Sequence, residues 1–265
     1  MDEHDDSTFS PLRTALTVLL IVLVPLALGI FLAGRLLPRP QVGIVRLSYD
    51  IGSLSTYEIA EQLRVARENP AIQAVVVIIN SPGGSAAFSE ELFLDVLDTR
   101  RDLPVVASID LLAASGAYYM AAAANEIYAK PTSAIGSVGV IASLPGEVFI
   151  EEDLLTTGPY KAFGGTRDGY VRQIERAKFA FLDAVQTGRG DRLAIDLATL
   201  SRAEVYTGVQ ALEFGLVDGL ASTEEALRRA ADLAGVRDFE AVELYPLTFD
   251  TDFIPLAEVA YRPSP

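Results

Sequence analysis

The pattern of apolar and polar positions changes character along this chain, and each change predicts a different element. Thr14 to Gly34 is a run of 21 residues without a charge, held between Arg13 and Arg35. As a helix it spans ~31 Å, about the thickness of the bilayer hydrocarbon. A core helix of a soluble domain keeps a polar face, and this run has none. Pro25 in its middle is tolerated inside a membrane. The competing reading is a cleaved signal peptide. The leading region is acidic rather than basic, and the run is too long for a signal core. The pattern therefore predicts one N-terminal transmembrane helix over residues 14–34, kept as an anchor.

Beyond Arg35 the pattern becomes that of a globular domain. Pro38 and Pro40 mark residues 35–41 as a short stiff linker. Val42 to Leu47 reads as a strand. Ser55 to Glu68 has helical spacing at Ile59, Leu63 and Val65, with Ser55 as its cap. Val75-Val-Val-Ile-Ile79 is continuously β-branched, which predicts a strand buried on both faces of a parallel sheet. Helical spacing returns from Phe88 to Thr99, and Pro104 to Ile109 is again strand-like. Short strands are expected at Glu126–Ala129, Val138–Ala142, Val205–Tyr206 and Leu216–Val217. Helices are expected at Val148–Leu155, Tyr170–Thr187, around Asp191–Leu200 and at Thr223–Leu233. Alternating strands and helices give an α/β fold with right-handed crossovers. The expected organisation is an acidic, disordered 1–13, the transmembrane helix 14–34, the linker 35–41, one globular domain over 42–245 and a tail over 246–265.

Composition narrows the function. The net charge of −15 argues against nucleic acid as a partner. Only three of the 21 basic residues are lysines. So acidic a surface repels itself at low salt and points to a high-salt environment. With no cysteine, thiol nucleophiles and cysteine metal sites are excluded.

Three stretches carry candidate chemistry. Asn80-Ser-Pro-Gly-Gly-Ser85 ends a buried strand in a turn that frees backbone N–H groups at the carboxyl edge of the sheet. Leu111-Leu-Ala-Ala-Ser-Gly-Ala-Tyr-Tyr-Met120 sets Ser115 among small residues where a helix begins. The unpaired first N–H groups of such a helix can hold an oxyanion. If neighbouring strands bring the two turns to one edge, Ser115 meets a two-donor oxyanion hole. A serine nucleophile needs a base. The single histidine, His4, lies in the acidic N-terminal segment, so the base must be Lys130, Lys161 or Lys178. Lys161, within Gly158-Pro-Tyr-Lys-Ala-Phe-Gly-Gly165, has the small and apolar neighbours that favour a neutral amine and ranks first. Lys130 ranks second. Lys178 is expected on a charged helix face beside Glu175.

Taken together, Asn80-Ser-Pro-Gly-Gly-Ser85, Ala114-Ser-Gly-Ala-Tyr-Tyr-Met-Ala121, Ile135-Gly-Ser-Val-Gly-Val140 and Gly158-Pro-Tyr-Lys161 resemble the signal peptide peptidase A family. Val205-Tyr-Thr-Gly-Val-Gln-Ala-Leu-Glu-Phe-Gly-Leu-Val-Asp218 is similar as well, so the likeness covers about Val42 to Val236. The resemblance implies a Clp protease/crotonase-like fold of repeated ββα units. It also implies a membrane-anchored serine–lysine peptidase without a cofactor or metal. On it, Ser115 is the nucleophile and Lys161 the base. Gly84 and Gly116 supply the oxyanion hole, Gly83 shapes the turn and Ser137 orients the lysine. The resemblance further implies a homo-oligomeric ring, in which the lysine can come from a neighbouring subunit. The substrates would be apolar peptides such as signal peptide remnants. It sets the catalytic domain outside the cytoplasm, against the arginine count, which weakly favours the opposite orientation. Ala117 stands where glycine is common, and Ala162-Phe-Gly-Gly-Thr166 departs from the usual sequence after the lysine, which bears on specificity. The alternatives are a crotonase-like enzyme of acyl-CoA thioesters, a non-catalytic membrane scaffold, and a peptidase of membrane-associated proteins.

Overall fold

The computed structural model describes residues 11–36, 39–143, 155–158, 160–161 and 164–249. The chain divides into two units, 1–39 and 40–265.

The first unit contains one helix, α1 (Pro11–Leu36), with Pro25 inside it. Side chains are described for residues 16–32, and all of them are exposed. Among the described residues no helix is long and apolar enough to cross a membrane.

The second unit is built on a sheet. In chain order its elements are β1 (Gln41–Leu47), α2 (Ser53–Glu68), β2 (Ile72–Ser81), α3 (Ala86–Asp102), β3 (Val105–Ala114), α4 (Gly116–Ala121), β4 (Glu126–Ala129) and β5 (Ala134–Gly136). There follow α5 (Arg167–Arg189), α6 (Leu197–Leu200), β6 (Val205–Thr207), α7 (Gly208–Glu213), β7 (Gly219–Leu220), α8 (Thr223–Leu233), β8 (Glu240–Glu243) and α9 (Leu244–Phe249). One strand alternates with one helix as far as α4, after which β4 and β5 follow one another.

The sheet runs β6-β5-β3-β2-β1-β8, with β4 pairing β3 and β7. All the pairs are parallel except β5 with β6. β2 lies at the centre, and its β-branched run explains why. Val75, Val77 and Ile79 face one core, which α2, α3 and α4 cover with residues such as Ile59, Leu63, Leu92 and Tyr118. Ala74, Val76 and Ile78 face a second core against Ala226, Leu227, Ala230 and Ala231 of α8. A strand buried on both faces gains about 1.5–3 kcal/mol from each large apolar side chain, so the six-residue run Ala74–Ile79 anchors the domain.

The structure corrects several expected elements. Helix α2 starts before Ser55, flanked by Gly52, and the Ser55 hydroxyl accepts the Gly52 N–H at 3.0 Å from inside the first turn. β3 continues to Ala114, so the strand leads directly into Ser115. Val138–Ala142 forms no strand, and none of the described strands pairs with it. Around Asp191–Leu200 there is one 3-10 turn, Gly190–Arg192, and the short α6. Leu216 and Val217 are buried in a turn whose N–H groups donate to the Ala211 carbonyl, and the strand comes at Gly219 instead. β8 and α9 were not expected. β8 extends the sheet beside β1, and Phe249 of α9 lies 6.1 Å from the Tyr57 ring of α2. The expected helix 148–155 falls outside the described residues except for Leu155, as do the N-terminal segment 1–10, including His4, and the tail 250–265.

Candidate active site

Parallel pairing of β2 with β3 brings their carboxyl ends together, with Ser81 opposite Ala113. The turn after β2 and the turn after β3 therefore meet. In the first, Gly83 has φ +92°, a value open to glycine at little cost. Its N–H donates to the Ser81 hydroxyl at 3.1 Å. Gly84 bridges to Ile51, whose N–H donates to the Gly83 carbonyl and whose carbonyl accepts the Ser85 N–H. A Cβ on Gly84 would overlap the Ile51 backbone, so this approach requires glycine.

In the second turn Ser115 sits at φ 53°, ψ −126°, immediately before α4. A non-glycine residue held there stores on the order of 1–3 kcal/mol, and such strain collects at functional sites. Its N–H donates to the Gly136 carbonyl of β5 at 2.8 Å, and its carbonyl accepts the Tyr118 and Tyr119 N–H groups of α4. Both sides of the serine are thereby fixed. A Cβ on Gly83 would come within 2.5 Å of the Gly116 nitrogen, and a Cβ on Gly116 would come within 3.4 Å of the Gly84 nitrogen. The Gly84 and Gly116 N–H groups thus converge beside Ser115. Neither donates a hydrogen bond among the described residues.

The far end of α4 is held by charge. Arg100 of α3 donates to the Ala123 and Ala124 carbonyls at 2.9 and 3.2 Å, and Arg192 donates to the Asn125 carbonyl at 3.0 Å. Burial, with a further contribution from Arg192, lowers the Arg100 pKa. Tyr118 is fully buried and donates to the Leu216 carbonyl at 2.8 Å, and burial raises its phenol pKa. A buried pair anchors α5 nearby. The Arg189 side chain, 1% exposed, donates to both Asp218 oxygens at 2.8 and 2.9 Å and to the Gly215 carbonyl at 2.8 Å. Burial pushes the Asp218 carboxyl up, but bonds from Arg189 and from the Ile127 N–H, with the Arg192 charge, outweigh it and hold it below its ordinary value. Neither Arg100 nor the Arg189–Asp218 pair was legible in the sequence, because their partners are distant in the chain.

The remaining expected residues fall as follows. Ser137 comes directly after β5, half-buried, at φ 52°, with its N–H on the Glu204 carbonyl at 2.8 Å. Its neighbour Gly136 is the acceptor for the Ser115 N–H, so the two serines are linked through one residue. Lys130, ranked second as a base, is ion-paired with Asp110 of β3. Lys178 lies 3.5 Å from Glu175, as expected, and 5.3 Å from the centre of the Phe179 ring. Lys161 follows Gly158 in a turn, its N–H donating to the Gly158 carbonyl at 3.2 Å. It is exposed, where a desolvated setting was expected, and makes no hydrogen bond to Ser115 among the described residues. The structure therefore brings Ser115, Gly83, Gly84 and Gly116 together, with Ser137 joined to Ser115 through Gly136.

Beside Ser115 lies a cavity of about 90 Å³, bordered by Ala86, Tyr119, Val140, Ala177 and Phe181 together with the two glycines. Gly139, Val140 and Ile141 border it as well, and residues 138–143 make no main-chain hydrogen bond among the described residues.

Known proteins share this chain's sequence and fold. A protease designated Protease 4 from Haemophilus influenzae is 30% identical over 210 residues, covering 73% of this chain and 34% of that protein. A chloroplastic serine protease SPPA of Arabidopsis thaliana is 28% identical, covering 82% and 36%. A putative protease of Synechocystis, slr0021, is 30% identical and covers 78% of both chains. The chain thus spans about a third of the length of Protease 4 and of the chloroplastic protease. The structure of a membrane-bound stomatin-specific protease, 1510-N, in a mutant form, superposes with a TM-score of 0.55 at 14% identity. It covers 78% of this chain and 98% of that one, and shows a shared fold. The family model for peptidase family S49 matches residues 98–237, more than half of the chain, from the end of α3 to beyond α8. On that match, and on the relatives named for signal peptide peptidase A, the chain belongs to peptidase family S49.

Proposed function

We propose that this protein is a membrane-anchored serine endopeptidase working through a Ser115–Lys161 dyad. One observation carries the reading: the strained Ser115 stands beside two converging N–H groups, of Gly84 and Gly116, that have no partner among the described residues. Unpaired N–H donors fixed next to a hydroxyl suit a reaction that creates an oxyanion there, and loss of one such donor typically costs about 10²–10³ in rate. The main-chain groups of residues 138–143 are unpaired among the described residues, which supports a substrate backbone pairing with them.

Lys161 is the base in this reading, and the ion pairs of the other two lysines support the choice. Lys130 is held by Asp110 and Lys178 by Glu175, while Lys161 has no ion-pair partner among the described residues. Its exposure in a single chain fits delivery to Ser115 within a ring of copies, by a neighbouring subunit. Ser137 orients the amine in this reading, and its link to Ser115 through Gly136 supports that role.

The neutral Lys161 amine takes the Ser115 hydroxyl proton as Oγ bonds to the scissile carbonyl carbon, whose oxygen becomes an oxyanion held by the Gly84 and Gly116 N–H groups. On collapse the C–N bond breaks and Lys161 returns the proton to the leaving amine. Water then attacks the acyl-serine, giving its proton to Lys161, and the Ser115–acyl bond breaks with the proton passing back to Oγ.

Residues 14–34 anchor the chain in lipid. The support is the charge-free run between Arg13 and Arg35 and the exposed apolar side chains of α1 from Leu16 to Leu32. With the catalytic domain outside the cytoplasm, the substrates are apolar peptides close to the membrane, such as cleaved signal peptides.

The test is hydrolysis of an apolar peptide by the full chain in detergent, at low and high salt. Ser115→Ala and Lys161→Ala abolish cleavage in folded protein, and Lys130→Ala keeps it. A Lys161→Ala protein of undiminished rate refutes the dyad, and a Ser115→Ala protein of undiminished rate refutes the serine mechanism.

A further inference from the structure

The cavity beside Ser115 has a wall that limits what can enter it. Phe181 of α5 stacks on Tyr119 of α4, ring centres 4.7 Å apart and planes 12° from parallel. Phe93 of α3 supports Tyr119 from another side, at 5.1 Å. Phe181 and Tyr119 are 2% and 8% exposed, so three elements pack the wall into the core. Ala177 lies four residues before Phe181 and borders the same cavity, as helical spacing requires. Dense interiors do not yield to a larger guest without strain.

The remaining space is about 90 Å³. An apolar cavity that holds one benzene has roughly 150 Å³. No charged side chain borders the space among the described residues, and the Ser89 hydroxyl on its rim already donates to the Ser85 carbonyl at 2.8 Å. A charged side chain would enter unpaired, and the space is smaller than one that holds an aromatic ring.

Resting on the peptidase reading above, we propose that Phe181, backed by Tyr119, is the specificity-determining residue of this enzyme. It restricts the residue bound beside Ser115 to aliphatic side chains from alanine to leucine and shuts out phenylalanine and tyrosine. The small rim residues Ala86 and Ala177 admit the aliphatic chain, and Phe181 ends the space.

The test uses the full chain in detergent and two peptides that differ only in leucine or phenylalanine at the cleaved residue. Wild type has at least about a tenfold higher kcat/KM for the leucine peptide, the discrimination a few methylenes' worth of pocket supplies. Phe181→Ala and the milder Phe181→Leu raise the phenylalanine-to-leucine ratio by about tenfold. Ala177→Leu, which removes nothing from the core, works in the opposite sense and turns preference from leucine toward alanine. The same peptides are titrated by fluorescence anisotropy onto Ser115→Ala protein, with and without Phe181→Leu. A wild type that cleaves leucine and phenylalanine peptides equally overturns the proposal and leaves the peptidase reading standing. A wild type that cleaves neither, with the binding preference intact and shifted by Phe181→Leu, refutes the peptidase and supports the cavity. No preference in binding together with no cleavage overturns both.

Discussion

Replacing Asp218 by asparagine keeps the shape of the side chain and removes the charge that faces Arg189. The guanidinium is 1% exposed, so it cannot turn to water. It would keep the Gly215 carbonyl and lose one of its two carboxylate contacts to an amide that is itself a donor. The Ile127 N–H, 2.7 Å from the carboxylate, and Arg192, at 3.0 Å, compete for the single oxygen left. Removing one partner of a buried pair costs about 3–5 kcal/mol. For a domain of this size that is a fall of roughly 6–20 °C in Tm, at about 2–4 °C per kcal/mol. The assay is thermal and urea unfolding of the full chain, followed by circular dichroism. The pH dependence provides an internal control. Asp218 has a folded pKa below its unfolded value, so its contribution is complete above the unfolded pKa, about 3.9. It disappears as pH falls through the lower folded value. The gap between wild type and Asp218→Asn is therefore constant at neutral pH and closes only in strong acid. Arg189→Met combined with Asp218→Leu recovers most of the loss, because no buried charge is then left alone. A single-variant cost below about 1 kcal/mol would refute the claim that this pair fastens α5 to the sheet.

Gly188→Ala forces a Cβ into the Ala122 carbonyl, where α5 passes the end of α4, and is expected to cost about 1–3 kcal/mol of stability; unchanged urea unfolding would show that the two helices give way. The charge of −15 predicts that Tm rises between 0.1 and 1 M salt, as the screening length falls from about 10 to about 3 Å. A Tm that falls over that range would contradict a self-repelling surface.

Much of the site was legible because it is written in neighbouring residues. Pro82-Gly-Gly84 after a β-branched run specifies a turn at a strand end, and Ser115-Gly116 before small residues specifies a helix start. Parallel pairing of their two strands, itself expected from continuous apolar runs, was enough to bring the turns together. What pairs with what at the edges was not legible. Val138–Ala142 has strand composition and forms none, since a strand exists only where another offers its hydrogen bonds. Glu240–Glu243 has weak strand composition and becomes β8, because β1 leaves an open edge beside it.

The sequence by itself determined the central sheet, the two glycine-bearing turns and the exposed apolar helix, because local propensity and periodic burial act over a few residues. Only the tertiary structure decided which side chains meet across the chain. Arg189 and Asp218 are 29 residues apart, and Phe181 lies 62 residues beyond the Tyr119 ring on which it stacks. Neither pairing leaves a periodic trace, since each is fixed by where α5 docks and not by its own composition. The same limit applies to Lys161: its neighbours in sequence are small and apolar, yet the folded chain leaves it exposed, because what surrounds a side chain is set by packing and not by adjacency on the chain.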